Sequence, residues 1–163
     1  MVLAAKFRCP AICGRCREVA KSFGASFVVA TSSGTASIHV AIAASQVRPG
    51  SEVITTPITD MGTINAILYQ NLIPVFADVD PDSALLTVDT IRAVMTERTR
   101  AVVVVHLTGC PVDIGPIAVF CKAHNITLIE DCAQALGATY KGQHVGTFGD
   151  FGCYSLNDQK ACY

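Results

Sequence analysis

The sequence predicts an α/β protein: a three-layer α/β/α domain built around a mostly parallel sheet. From residue 13 onward, short segments rich in Val and Ile alternate with segments whose apolar residues recur at helical spacing. The strand segments, above all residues 101–106, are almost continuously apolar, which is typical of strands buried on both faces of a parallel sheet. A length of 163 residues suits one domain rather than two.

Each element carries a local signal. Gly24 ends the first helix, Pro49-Gly50 forms a turn before a strand, Thr87 begins a helix, and Gly142 marks a hairpin. In chain order, the predicted elements are a helix over 16–23, a strand over 27–30, a helix that follows Thr35 and extends to Ser45, a strand over 52–55, a helix through 64–68, a strand over 73–79, a helix from near Thr87, a strand over 101–106, a helix capped by Asp113, a strand over 127–130, a hairpin over 138–145 and a strand over 151–156. Residues 1–15 show no such pattern and are predicted to be an irregular lead-in to a domain over 16–163.

The composition excludes several classes of protein. Apolar residues make up 51% of the chain and charged residues 15%, so a mainly disordered chain is excluded. A net charge of −1 provides no basic surface for nucleic acid. The aliphatic runs are far too short to span a membrane, and the N-terminus lacks the apolar core of a signal peptide. The low charge content indicates that part of the surface is covered, either by a partner subunit or by sequence outside this chain.

The eight cysteines are interpreted as free thiols of a reducing, cytoplasmic protein, because most lie in apolar or helical segments. Cys9, Cys13 and Cys16 also have the spacing found in radical enzymes that hold an iron–sulfur cluster. A zinc site made of these three cysteines and a distant His is a further alternative. The motif lies in the lead-in rather than after a barrel strand, and we expect no metal.

A candidate anion site follows the first predicted strand. Residues 31–35 supply hydroxyl groups and Gly34 at the start of a helix, where backbone N–H groups and the positive end of the helix dipole suit a phosphate. The alternative is an ordinary Ser cap next to a permissive Gly.

Further candidates lie where other predicted strands end, which is where ligands gather in such sheets. Glu130 and Asp131 come directly after an apolar strand, and a carboxylate there can act as a base, bind a metal, pair with a protonated ring nitrogen or simply cap a helix. Lys160 follows the last strand, with Ser155 five residues before it; a lysine there can form a Schiff base, although most lysines are solvated surface charges. His106 ends the Val-rich strand, where a hydrogen-bonded histidine is the simpler interpretation.

Taken together, these residues fit pyridoxal phosphate. That cofactor needs a lysine for its aldehyde, a carboxylate that keeps its pyridine nitrogen protonated and an anion cradle for its phosphate. The chain offers one candidate for each role, in the order phosphate loop, carboxylate and lysine. The other lysines considered, Lys122 and Lys141, lie beside a helix end and a Gly turn, where surface roles are expected.

Several motifs occur in a fixed order between about Cys16 and Lys160. They are Ser33-Gly34-Thr35-Ala36, Pro49-Gly50-Ser51-Glu52-Val53-Ile54, Pro74-Val75-Phe76-Ala77-Asp78-Val79-Asp80-Pro81, Val105-His106-Leu107-Thr108-Gly109, Ile129-Glu130-Asp131-Cys132-Ala133-Gln134-Ala135 and Gly146-Thr147-Phe148-Gly149-Asp150. In sequence and spacing they resemble the DegT/DnrJ/StrS aminotransferase family. The resemblance implies an aspartate aminotransferase fold (fold type I), pyridoxal phosphate as cofactor, a homodimer, and transfer of an amino group from glutamate or glutamine to a nucleotide-linked keto sugar or a keto-cyclitol in polysaccharide or amino-sugar biosynthesis.

The resemblance also implies a role for each candidate. Lys160 matches the lysine that links to the cofactor, Asp131 the partner of the pyridine nitrogen, and Gln134 a residue near the ring's 3-hydroxyl group. The residues that match the phosphate cradle are Gly34, Thr35 and Ser155.

The chain departs from the family pattern in three places. Met61 is the nearest match to an aromatic residue that stacks on the cofactor ring, and Leu156 replaces an aromatic residue after Ser155. The chain also ends three residues after Lys160. We therefore expect part of the cofactor-binding large domain, with the rest of that domain and the C-terminal small domain absent. Two alternatives to a working aminotransferase stay open: an inactive fragment that binds pyridoxal phosphate, and a non-catalytic α/β interaction module.

Overall fold

A computed structural model describes residues 2–4 and 14–156 of the chain. Its strands are β1 (Val2–Ala4), β2 (Phe27–Val29), β3 (Glu52–Thr55), β4 (Ile73–Phe76), β5 (Thr99–Val105), β6 (Thr127–Asp131), β7 (Thr139–Tyr140), β8 (Gln143–His144) and β9 (Phe151–Cys153). Its helices are α1 (Gly14–Phe23), α2 (Gly34–Ala44), α3 (Met61–Leu68), α4 (Val88–Val94) and α5 (Ile114–Ala123). No helix within these described ranges is long and apolar enough to cross a membrane.

Seven of the strands form one sheet, in the order β2-β1-β9-β6-β5-β3-β4. The strands from β9 to β4 pair in parallel, and β1 is antiparallel to both of its neighbours. The strands β7 and β8 form a separate antiparallel hairpin. In the centre of the sheet, Val105 pairs with Asp131 and Asp131 with Cys153. The carboxyl ends of β5, β6 and β9 therefore lie side by side.

Helices cover both faces of this sheet. The residues Val103 and Ile129 pack on one face with α2 and α3, whereas Val102, Val104 and Leu128 pack on the other face with α4 and α5. Helix α1 packs in a third cluster with β2 and the segments after β6 and β9. Because successive residues of a strand point to opposite faces, the unbroken Val run of β5 supplies both cores at once. This confirms the predicted three-layer α/β/α architecture.

Several elements begin or end differently from the sequence-based expectation. The lead-in over 1–15 contains β1 and the first residues of α1, and the strands predicted over 73–79 and 151–156 end at Phe76 and Cys153. Helix α5 begins after Asp113, but the Asp113 side chain makes no capping hydrogen bond, so the predicted side-chain cap is wrong. Its carboxylate accepts a hydrogen bond from the Tyr140 hydroxyl instead, which ties the β7–β8 hairpin to α5.

Candidate cofactor site

Asp131 lies at the centre of the carboxyl edge of the sheet, as the sequence predicts. It is the last residue of β6, its exposure is 4%, and it lies on the face of the sheet that α2 and α3 cover. Its Oδ1 accepts a hydrogen bond from the backbone N–H of Ala133 at 3.0 Å, and its Oδ2 accepts one from the Thr63 hydroxyl at 2.7 Å. The predicted alternative, a cap for a helix after residue 132, is wrong, because the chain makes turns there rather than a helix. The carboxylate is buried and fixed by donors on two different segments.

The predicted anion site lies beside this carboxylate. Ser33 caps α2 by accepting the N–H of Ala36, and Gly34 and Thr35 open the helix. A Cβ atom placed on Gly34 would come within 3.3 Å of the Ser155 Cβ, so α2 meets the segment after β9 at this point. The three side-chain positions named for the phosphate, Gly34, Thr35 and Ser155, are each half-buried. The structure thus brings together N–H groups at a helix N-terminus and a serine hydroxyl from a distant segment, which suits an anionic group.

Gln134 connects the ends of two neighbouring strands. Its Oε1 accepts the backbone N–H of Thr108 at 3.0 Å, in the short turn over Leu107–Gly109 that follows β5. Thr108 has a φ of 49°, an uncommon backbone conformation for a β-branched residue. The Gln134 amide oxygen is thus occupied by a backbone donor, and the predicted contact of Gln134 with the ring hydroxyl stays a prediction.

Of the remaining predicted residues, some are exposed to solvent and others lie outside the described part of the chain. Met61, the first residue of α3, is 64% exposed, and Leu156 is also exposed. Lys160 lies outside the described residues, as do Cys9 and Cys13 of the cysteine motif. The stacking role of Met61 and the covalent role of Lys160 therefore stay predictions.

The lysines considered unlikely to react lie away from Asp131. Lys122 is exposed near the C-terminus of α5, beside Thr127 at the opposite end of β6. Lys141 is exposed in the turn between β7 and β8, with its ammonium 4.9 Å from the Tyr140 ring centroid.

Glu130 and His106 form a buried structural pair on the other face of the sheet. The Glu130 carboxylate accepts the backbone N–H groups of Gly146, Phe148 and Gly149 at 2.7, 2.8 and 2.7 Å. It also lies 3.1 Å from His106 Nε2, while His106 Nδ1 accepts the N–H of Val112 at 3.2 Å. His106 is thus a buried, hydrogen-bonded histidine, and Glu130 is kept from the site by the alternation of the strand.

These two residues and Cys132 place ligand atoms within 4.8 Å of one another, a spacing that a metal ion would tolerate. The imidazole nitrogens and the carboxylate oxygens, however, already hold the hydrogen bonds just described. Burial, together with the nearby carboxylates of Glu130 and Asp131, raises the pKa of the Cys132 thiol well above its ordinary value. The thiol is therefore protonated in this structure, and it donates a hydrogen bond to the backbone carbonyl of Glu130 at 3.8 Å.

Thr63 is the site residue that the sequence analysis missed. It is buried in the first turn of α3, and its hydroxyl contacts a residue 68 positions away. The local pattern shows only an ordinary helix at 61–68. The one available signal was its place near the N-terminus of the helix that follows β3, at the same edge of the sheet as the other candidates.

The fold is a three-layer α/β domain, and its candidate site combines the N-termini of α2 and α3 with the buried Asp131 carboxylate. The chain belongs to the DegT/DnrJ/EryC1/StrS aminotransferase family, whose model matches residues 16–162.

Individual relatives agree with this assignment. The UDP-N-acetyl-3-dehydro-alpha-D-glucosamine 3-aminotransferase of Acidithiobacillus ferrooxidans is 43% identical over 143 residues, which are 88% of this chain and 39% of the relative. The X-ray structure of the aminotransferase from Psychrobacter cryohalolentis superposes with a TM-score of 0.82 at 40% identity, over 85% of this chain and 36% of that one. The structure of ntda from Bacillus subtilis with bound cofactor PMP gives a TM-score of 0.74 at 30% identity, over 78% and 29%. This chain spans less than two fifths of the length of each.

Proposed function

We propose that the intact protein is a pyridoxal phosphate-dependent aminotransferase that moves an amino group from glutamate or glutamine to a keto sugar, either nucleotide-linked or a cyclitol, in amino-sugar or polysaccharide biosynthesis. The observation that carries this proposal is the convergence of Gly34, Ser155 and the buried Asp131 at one edge of the sheet. The relative that acts on a UDP-linked dehydro sugar supports the substrate class.

The residues present fit the cofactor. When bound, pyridoxal phosphate supplies an aldehyde that links to amines and a protonated ring that withdraws electrons from the substrate. The phosphate would lie at the N-terminus of α2, where Gly34 leaves room beside Ser155 and Thr35 adds a hydroxyl. Asp131 would hold the proton on the ring nitrogen, and the amide NH₂ of Gln134 would donate to the ring hydroxyl. Lys160 would bind the aldehyde and, once released, carry the substrate's α-proton as a general base.

The same proposal includes a homodimer that works in the cytoplasm. The exposed apolar side chains at α3 and β4 are consistent with a surface that is covered in the intact protein, and we assign that cover to the partner subunit. These side chains are Met61, Leu68, Tyr69, Ile73 and Phe76. The free cysteines among the described residues, four of them buried, support a reducing compartment.

Amino-donor turnover tests the proposed function. When no acceptor is present, the intact protein loaded with pyridoxal phosphate should release about one equivalent of keto acid per bound cofactor. The keto acid is 2-oxoglutarate when the donor is glutamate and 2-oxoglutaramate when it is glutamine. A UDP-linked keto sugar or a keto-cyclitol should make the release catalytic. The variant Lys141→Ala, which alters an exposed lysine of the hairpin, serves as the control and should behave like wild type. A protein that binds the cofactor but releases no keto acid from either donor would contradict the proposal.

A further inference from the structure

The Asp131 carboxylate is the end of a short chain of hydroxyl groups. Thr63 Oγ1 lies 2.7 Å from Asp131 Oδ2, and Thr59 Oγ1 lies 2.8 Å from Thr63 Oγ1. Thr63 is 1% exposed, and Thr59 is half-buried. An ionised carboxylate only accepts hydrogen bonds, so the Thr63 proton points to Asp131 and the Thr63 oxygen accepts from Thr59.

The first turn of α3 also reaches the phosphate cradle. Asp60 caps this helix by accepting the N–H of Gly62 at 2.8 Å. A Cβ atom on Gly62 would clash with the hydroxyl of Thr35, so the two helix N-termini are in direct contact there. One helical turn therefore contacts the residues placed at both ends of the proposed cofactor.

We propose that Thr63 is a positioning residue, whose hydroxyl keeps Asp131 ionised and oriented so that the cofactor's proton stays on its pyridine nitrogen. This inference rests on the proposed function. A buried carboxylate facing a pyridinium has two states: an ion pair, or a neutral pair in which the carboxyl carries the proton. Low polarity favours the neutral pair, whereas hydrogen bonds donated to the carboxylate favour the ion pair.

Two donors to Asp131 come from independent segments of the part of the chain that the structure describes. Thr63 on α3 donates to Oδ2, and the Ala133 backbone, in the turn after β6, donates to Oδ1. The backbone donor is fixed by the fold, so of these two donors the Thr63 hydroxyl is the one that a side-chain substitution removes. The Thr59 hydroxyl strengthens that donor, because a hydroxyl that accepts a hydrogen bond donates a stronger one.

The variants Thr63→Val and Thr63→Ser test this inference in the intact protein. Each is loaded with pyridoxal phosphate labelled with ¹⁵N in the ring, and the ¹⁵N chemical shift and the cofactor's dissociation constant are measured. Thr63→Val keeps the side-chain volume and loses the hydroxyl, so the shift should move toward that of unprotonated pyridine and the cofactor should bind roughly tenfold more weakly. Thr63→Ser retains the hydroxyl and should keep both values close to wild type.

The control is Thr55→Val. It also removes a buried threonine hydroxyl, but that hydroxyl donates to the carbonyl of Val103 at 3.0 Å and not to Asp131. This control should lower stability and leave the ¹⁵N shift unchanged.

A wild-type ¹⁵N shift in Thr63→Val, or in Thr63→Ala if the valine variant does not fold, would overturn the role of Thr63 while leaving the proposed function intact. If the wild-type protein itself does not bind the cofactor, the proposed function fails and this inference falls with it.

Discussion

At the scale of single residues, the proposed chemistry depends on Asp131, whose position is set by strand β6 and whose side chain accepts hydrogen bonds from Ala133 and Thr63. The sequence was sufficient to place this carboxylate at the end of a buried strand, because an apolar run followed directly by an acidic residue is a local signal. The partner Thr63 was not predictable, since the contact depends on how α3 packs across the sheet.

We expect Asp131→Asn to retain most cofactor binding and to lose activity. The amide can still accept the N–H of Ala133, so the fold and the phosphate cradle at Gly34 and Ser155 are preserved. It cannot hold a proton on the ring nitrogen, and kcat should fall on the order of a hundredfold or more. Steady-state kinetics and cofactor titration measure the two effects separately. The control is Asp78→Asn, which alters an exposed aspartate just beyond β4. An equal loss of kcat in both variants would refute the role assigned to Asp131.

At the scale of elements, Glu130 joins β6 to the segment that leads into β9. Its carboxylate accepts three backbone N–H groups between Gly146 and Gly149 and faces His106. That segment precedes β9, and β9 in turn leads to Ser155 of the cradle. The strand alternation thus places two adjacent carboxylates in different surroundings: Asp131 at the candidate site, and Glu130 among the backbone N–H groups of the segment before β9.

Glu130→Gln should destabilise the protein by about 3 kcal/mol, because one carboxylate oxygen becomes an NH₂ group that faces backbone donors in a buried place. Urea denaturation of the intact protein measures this loss. The substitution Glu18→Gln on the exposed surface of α1 is the control and should change the free energy of unfolding by less than about 0.5 kcal/mol. A Glu130 variant as stable as that control would show that the carboxylate does not organise the 146–149 segment.

Glu52 at the start of β3 makes a pH-dependent contribution to the stability of the fold. Thr96 Oγ1 and Arg98 Nη2 donate to its carboxylate at 2.5 Å each, and the Thr96 hydrogen bond, with help from Arg98, holds the pKa of Glu52 below its ordinary value of 4.5. A carboxyl group with a lowered folded-state pKa stabilises the fold above its unfolded pKa, and that stability is lost as the pH falls through the folded value.

We therefore expect the free energy of unfolding to decrease as the pH falls below about 4.5, and Glu52→Gln to weaken that decrease. Denaturation curves between neutral and acid pH measure it, with the exposed Glu97→Gln as the control. If the free energy of unfolding of Glu52→Gln fell with pH as steeply as that of wild type, the Glu52 carboxylate would not be the cause of the acid destabilisation.

The elements also show which parts of the fold were predictable. Strand β3 has the predicted bounds, Glu52–Thr55, because a Pro-Gly turn precedes it, and α4 begins after Thr87, whose hydroxyl and that of Thr90 form a capping box. Strand β1 was not predicted, since three residues carry too little periodicity and the strand exists only by pairing with β2 and β9. Local signals set the element ends, whereas contacts between distant segments set the rest.

At the scale of the whole molecule, the distribution of apolar surface predicts self-association. Tyr69 at the end of α3 is 64% exposed, close to exposed side chains on the edge strand β4. We expect the intact protein to be a dimer by light scattering, and Tyr69→Glu to shift it toward monomer while circular dichroism stays unchanged. Val119→Glu on α5 is the matched control, since Val119 is 71% exposed and belongs to a different face of the sheet. A wild-type monomer, or an equal effect of both substitutions, would contradict this assignment of the surface.

The measurement that tests the central claim most directly is the position of the covalent cofactor link. The proposed cradle includes Ser155, and Lys160 follows five residues later in the sequence, within about 17 Å of extended chain. The intact protein is loaded with pyridoxal phosphate, reduced with borohydride, digested and mapped by mass spectrometry. We predict a pyridoxyl label on Lys160 that disappears, together with transamination, in Lys160→Ala. A label on Lys122 or Lys141, or on no lysine at all, would contradict both the site and the aminotransferase activity proposed for it.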